Sequence, residues 1–161
     1  MIVCSSVYCL RGDDVLLLKR RKPPFVGLWV APGGKANAGE SPPEAAHREL
    51  QEETGLRAQR LLFRGVIAET SPRADFQWLI FYYAALEIEG CLSEEGPEGE
   101  LCWWPRGRLP DLPQPDADRV FTVPVLDLLA PVYQGHFRYN ASGRLIDYLE
   151  HDSLVPTSFN L

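Results

Sequence analysis

The chain has 161 residues, 45% of them hydrophobic and 24% charged, with a formal net charge of −6 at pH 7. That length and balance suit one soluble globular domain over residues 1–161, built on a single core. The acidic balance argues against a nucleic-acid polymer, which needs Lys and Arg spread along a phosphate track. It leaves room for a small phosphorylated ligand neutralised locally by bridging cations.

No apolar run approaches the roughly 18 residues of a spanning helix, so no membrane partner is expected. Met1–Leu10 lacks the basic start of a secretion signal and reads as a strand. The cysteines Cys4, Cys9, Cys91 and Cys102 show no CxxC spacing, and the three histidines stand apart. Reduced thiols and a cytoplasmic location are the expectation.

In chain order, Ile2–Leu10 and Val15–Arg21 are apolar, β-branched runs joined through Gly12-Asp13-Asp14, which predicts a hairpin. A turn-rich stretch from Pro23 to Trp29 leads to Pro32-Gly33-Gly34. Ser41 then offers a helix N-cap, Pro42 suits the first helical position, and Glu44 completes a capping box. The helix is expected to run to about Thr54 and stop at Gly55. Leu56–Glu69 and Phe76–Glu89 read as strands, Cys91–Glu100 as an acidic loop, and Leu101–Trp104 as a short strand. Prolines 105, 110, 113 and 115 predict an irregular segment. A second helix is expected over Asp116–Leu129, bent or split near Pro124. Tyr133–Tyr139 and Arg144–Glu150 flank Asn140-Ala141-Ser142-Gly143 as a terminal hairpin. Strands with two intervening helices give an α/β layered domain.

The chemistry concentrates in Gly34-x5-Glu40-x7-Arg48-Glu49-Leu50-x-Glu52-Glu53-x-Gly55-Leu56. At 100° per residue, Glu49, Glu52 and Glu53 fall within one helical arc of about 100°, while Leu50 points towards the core. Three such carboxylates repel one another on an isolated helix. Their concentration suits an oxygen-rich site for a hard cation, Mg²⁺ or Mn²⁺. A solvated acidic face is the alternative. The complete pattern should arise by chance on the order of once in 10⁷ chains, which favours the metal reading.

These residues match the Nudix box without a departure, and the chain resembles the Nudix hydrolase family. The resemblance implies an α/β/α sandwich with a mixed sheet, the box forming loop-helix-loop. It also implies hydrolysis of a nucleoside diphosphate linked to another group. Position by position, it makes Glu49, Glu52 and Glu53 metal ligands, with Glu49 and Glu53 also catalytic. Arg48 would hold a carboxylate through its planar fork. Gly34 and Gly55 would permit tight backbone, and Glu40 would brace the loop. A further carboxylate from outside the box, acting as base or metal ligand, is expected at Glu98, with Glu100 second.

The likeness extends to Leu28-Trp29, Gly33-Gly34-Lys35, Glu98–Trp104, Pro115-Asp116 and Arg144–Tyr148, which are similar to MutT-type 8-oxo-dGTP diphosphatases. It implies a purine nucleoside triphosphate, oxidised or not, cleaved to monophosphate and pyrophosphate in nucleotide-pool sanitation. Phe25, Trp29 and Asp116 would line the base pocket, and Gly34 and Lys35 would contact the ligand. A small-molecule nucleotide is thus the expected partner, for a monomer or a homodimer. Two departures stand out: the animal branch has two adjacent acids where this chain has Asp116-Ala117, and Asn in place of Val30. A broader triphosphatase than a strict 8-oxoguanine enzyme fits them. Pro72, 16 residues past Leu56, is a feature of ADP-ribose pyrophosphatases and forms the alternative. A non-catalytic nucleotide-binding module is disfavoured, since it has no need to keep Glu49, Glu52 and Glu53 together.

Overall fold

The computed structural model describes residues 1–93 and 95–151. Strands β1 (Ile2–Arg11) and β2 (Asp14–Arg20) form the expected antiparallel hairpin, with Leu10 opposite Val15 and Gly12 in the left-handed region at φ 60°. Two short strands follow, β3 (Trp29–Val30) against β2 and β4 (Gly33–Lys35) against β1. Helix α1 (Pro42–Thr54) leads into β5 (Leu56–Thr70) and β6 (Gln77–Gly90). Then come β7 (Glu95–Gly96), β8 (Gly99–Pro105), a 3₁₀ turn over Arg106–Asp111, helix α2 (Asp116–Leu126), β9 (Tyr133–Tyr139) and β10 (Leu145–Glu150).

The strands join in the order β10-β9-β5-β6-β1-β2-β8-β7, with β3 and β4 attached to β2 and β1. β1 runs parallel to β6 and β5 parallel to β9, while the other pairs are antiparallel, so the sheet is mixed. Alternation along each strand sorts the core into two layers. Val7, Cys9, Leu16 and Leu18 pack with Ala46 and Leu50 of α1. Tyr8, Leu10, Val15 and Leu17 pack with Phe121 and Val125 of α2. One helix on each face gives the α/β/α sandwich expected from the sequence.

Three details differ from the sequence reading. The segment from Trp29 to Lys35 contributes strands β3 and β4 as well as turns, because its backbone is captured by the edges of β1 and β2. The acidic loop folds back as a β7–β8 hairpin, Gly96 opposite Gly99. Helix α2 ends at Leu126, three residues early: Pro124 lies inside its last turn, and buried Arg64 of β5 collects the terminal carbonyls. The Arg64 guanidinium donates to the carbonyls of Val125 (3.1 Å), Asp127 (2.6 Å) and Ala130 (2.9 Å), supplying partners that a helix C-terminus otherwise lacks. The four cysteines are free thiols. Among the described residues no helix is long and apolar enough to cross a membrane.

Candidate active site

Helix α1 begins where several local preferences agree. Ser41 is extended at φ −76°, its carbonyl accepts the Ala45 N–H at 3.0 Å, and the Glu44 carboxylate accepts the Ser41 N–H at 2.8 Å. The helix stops at Gly55, whose φ of 77° costs glycine little, with its N–H bonded to the Gln51 carbonyl at 2.9 Å. Ala45, Ala46 and Leu50 are completely buried. That anchored face fixes the rotation of the helix and turns Glu49 and Glu53 towards the Gly33–Lys35 strand.

Arg48 organises the acids. Its guanidinium grips Glu40 through Nε and a terminal nitrogen, both at 2.8 Å, and donates to Glu49 at 2.7 Å and Glu52 at 3.1 Å. It also donates to the Lys35 carbonyl at 3.0 Å, fastening the loop to the helix. The Arg48 hydrogen bonds, with the Asn37 N–H, hold the Glu40 carboxyl down at about 2. Glu40 therefore braces the loop, as its position in the motif suggested.

Glu53 is in the opposite situation, only 5% exposed. Burial, reinforced by the charges of Glu49 and Glu98, pushes its carboxyl up to about 8, against the pull of the Gly33 N–H and of Arg20. The Gly33 N–H donates to it at 2.7 Å. A Cβ built on Gly34 would lie 2.5 Å from the Glu49 carboxyl carbon, so a side chain there would displace the Glu49 carboxylate from its bond with Arg48. Glu52 is the outermost acid, its side chain 59% exposed.

The donor set suits a hard divalent cation: oxygen ligands on one helix face, with one acid desolvated and pressed by its neighbours' charges. Glu49, Glu52 and Glu53 would hold it, with Glu98 within electrostatic reach. Among the described residues no three acidic, His or Cys side chains yet converge on one point. Arg48 donates to one oxygen each of Glu49 and Glu52, and the Gly33 N–H to one oxygen of Glu53.

Glu98 sits at the tip of the β7–β8 hairpin. Its carboxylate pairs with Lys22 at 2.9 Å and stands 3.7 Å from Arg20. The hairpin is pressed onto its neighbours: a Cβ on Gly96 would meet the Glu53 carbonyl at 2.2 Å, and one on Gly99 the Lys19 carbonyl at 1.9 Å. Glu98 is thus the hairpin acid whose charge acts on Glu53. Glu100 lies exposed on β8, opposite Lys19.

An open cavity adjoins this site and is lined by Gly33, Gly34 and Lys35, among others. Of the residues expected to line a base pocket, Phe25 lines this cavity, whereas Trp29 and Asp116 do not belong to its lining. Trp29 is 5% exposed and packs edge-on against Trp104, ring centres 5.4 Å apart. Asp116 opens α2 on the solvent side. In their places the cavity has Trp78 of β6 and Asp118 of α2, together with Arg20 of β2 and Glu69 of β5. The sequence held a signal for both acids. Glu69 alternates with buried Ile67 on the inward face of β5, and Asp118 shares the buried stripe Asp118, Phe121, Thr122, Val125 of α2. Pro72 is exposed, in the turn between β5 and β6, and outside the cavity lining.

Comparison with known proteins agrees with this geometry. The NUDIX domain family model matches residues 3–126. An uncharacterized Nudix hydrolase of Bacillus subtilis, YvcI, is 31% identical over 145 residues, covering 86% of this chain and 88% of that protein. A putative 8-oxo-dGTP diphosphatase of Mycobacterium tuberculosis is 32% identical over 120 residues, covering 74% and 82%. The crystal structure of a MutT protein from Bacillus halodurans superimposes with a TM-score of 0.82 at 30% identity, over 93% of this chain and 97% of that one. The match runs through the carboxylate helix and both layers of the sandwich, and the chain belongs to the Nudix family of hydrolases.

Proposed function

We propose that the chain hydrolyses a guanine-type purine nucleoside triphosphate, oxidised or not, to the monophosphate and pyrophosphate, in sanitation of the nucleotide pool. One observation carries this reading: the same three residues wall the cavity and hold the carboxylate helix. Gly33 donates to Glu53, Gly34 lies against Glu49, and the Lys35 carbonyl accepts from Arg48. A base in the cavity therefore places its phosphate chain beside Glu49, Glu52 and Glu53.

Glu49, Glu52 and Glu53 would hold a Mg²⁺ or Mn²⁺ ion, and the chemistry it would supply is water activation and neutralisation of diphosphate charge. The chain's own groups supply the rest. Arg48 sets the positions of Glu49 and Glu52. Glu98, held towards the site by Lys22 and Arg20, takes up the proton of the attacking water or adds a ligand oxygen. Lys35 faces the phosphates, and Phe25 and Trp78 offer flat apolar surfaces for a base. Asp118, in the cavity lining where Asp116 is not, is the acid of α2 placed to hydrogen-bond the base edge.

The test is a panel of dGTP, 8-oxo-dGTP, dATP, dCTP and ADP-ribose, each with Mg²⁺ and with Mn²⁺, products separated by chromatography. The guanine nucleotides should lead, releasing pyrophosphate. Preference for ADP-ribose over every triphosphate would overturn the reading. Orthophosphate with a diphosphate product would overturn the assigned cleavage position.

A further inference from the structure

Two acids lie in the cavity away from the carboxylate helix. Glu69 is 2% exposed and Asp118 6% exposed, and both line the cavity wall. Among the described residues neither pairs with a cation: Glu69 accepts only a hydrogen bond from the Tyr139 hydroxyl, at 3.2 Å. Burying two carboxyls in an apolar layer is costly unless something satisfies them.

We infer that Glu69 is a specificity-determining residue that, with Asp118, selects a planar ring whose edge carries a ring N–H and an exocyclic amino group side by side. This rests on the proposal that the base occupies this cavity. A carboxylate accepts two adjacent N–H groups, and a neighbouring protonated carboxyl can donate to a carbonyl oxygen on the same edge. Two acids from different elements, β5 and α2, thus meet a donor-donor-acceptor edge that a single acid of α2 cannot satisfy. Phe25 and Trp78 supply the apolar surfaces for the ring. The titratable and charged groups around Glu69 are Tyr139, Asp118, Tyr82 and Cys4, with Arg20 and Lys35 in the same cavity. Burial pushes the Glu69 carboxyl up to about 7, with the Tyr139 hydroxyl pulling the other way.

Binding of dGMP and of dIMP, which lacks the exocyclic amino group, separates the possibilities without turnover. Titration calorimetry at pH 8 with Mg²⁺ compares the wild type with Glu69→Gln. The wild type should bind dGMP about tenfold more tightly than dIMP, the worth of one buried hydrogen bond to a charged group. Glu69→Gln should bring that ratio to within about threefold, weakening dGMP, which presents two N–H groups to the carboxylate, more than dIMP, which presents one. An unchanged ratio, or equal weakening of both ligands, would overturn the assignment. Tyr139→Phe is the second variant: losing the hydroxyl should move the pH midpoint of the dGMP preference upwards, and an unmoved midpoint would count against Glu69. If neither monophosphate binds the wild type while ADP-ribose does, the base placement itself fails and the role of Glu69 falls with it.

Discussion

Gly34 and Glu49 are in direct contact: a Cβ on Gly34 would sit 2.5 Å from the carboxyl carbon of Glu49. Glu49 cannot yield freely, because Arg48 holds its oxygen at 2.7 Å. Gly34→Ala should therefore push Glu49 off its position and break the Arg48 pair. A displacement of about 1 Å costs on the order of 100-fold in rate. Steady-state kinetics should show this loss in kcat, with the melting temperature changed by only a few degrees. Full activity in Gly34→Ala would mean that Glu49 does not act from this position.

Glu52→Gln and Glu53→Gln should each lower kcat by about two orders of magnitude or more, since charge stabilisation at the phosphates is lost. The fold should persist, because Leu50 and the two alanines anchor the helix. Turnover measured beside circular dichroism and a melt in chelator tests both halves. Near-normal turnover would remove the carboxylate helix from the mechanism.

For the β7–β8 hairpin, Glu98→Gln should depress turnover strongly and leave substrate affinity within a few-fold, whereas Glu100→Gln should do little. The reason is positional, as the Glu98 charge bears on Glu53 and Glu100 projects from β8. The reverse ranking in kcat would transfer the role to Glu100.

On α2, Asp118→Asn should lower kcat/KM for dGTP by about tenfold or more, while Asp116→Ala should change it less than twofold. Asp118 lines the cavity and Asp116 faces solvent. A larger effect at Asp116 would mean that the helix is rotated when substrate binds.

The pH dependence of stability has a definite sign. Glu69 rises from an ordinary 4.5 to about 7 through burial, so between these values the folded chain holds a proton that the unfolded chain has released. Its contribution falls as pH rises through that window and is constant above it. Glu69→Gln has no proton to lose. Urea unfolding in chelator at pH 5 and pH 8 should show the variant gaining on the wild type at the higher pH. A difference independent of pH would place the Glu69 carboxyl near its ordinary range.

The sequence by itself determined what is local. Ser41, Pro42 and Glu44 start α1, Gly55 ends it, and the helical period puts Glu49, Glu52 and Glu53 on one face whatever surrounds them. The hairpins at Gly12 and Asn140 follow from turn chemistry, and the Asn140 side chain accepts from the Ser142 and Arg144 N–H groups, both at 3.0 Å. Only the tertiary structure decided which residues meet across the sandwich. Glu69 and Asp118 come from distant parts of the chain and share a cavity because β5 and α2 pack in one layer. Trp29 and Trp78 have the same chemistry, yet one fills the core and the other lines the cavity. Strand pairing sets which face each ring takes, and a register shift of one residue reverses it. Likewise Arg64 ends α2 from across the layer, through carbonyls that no local pattern brings within its reach.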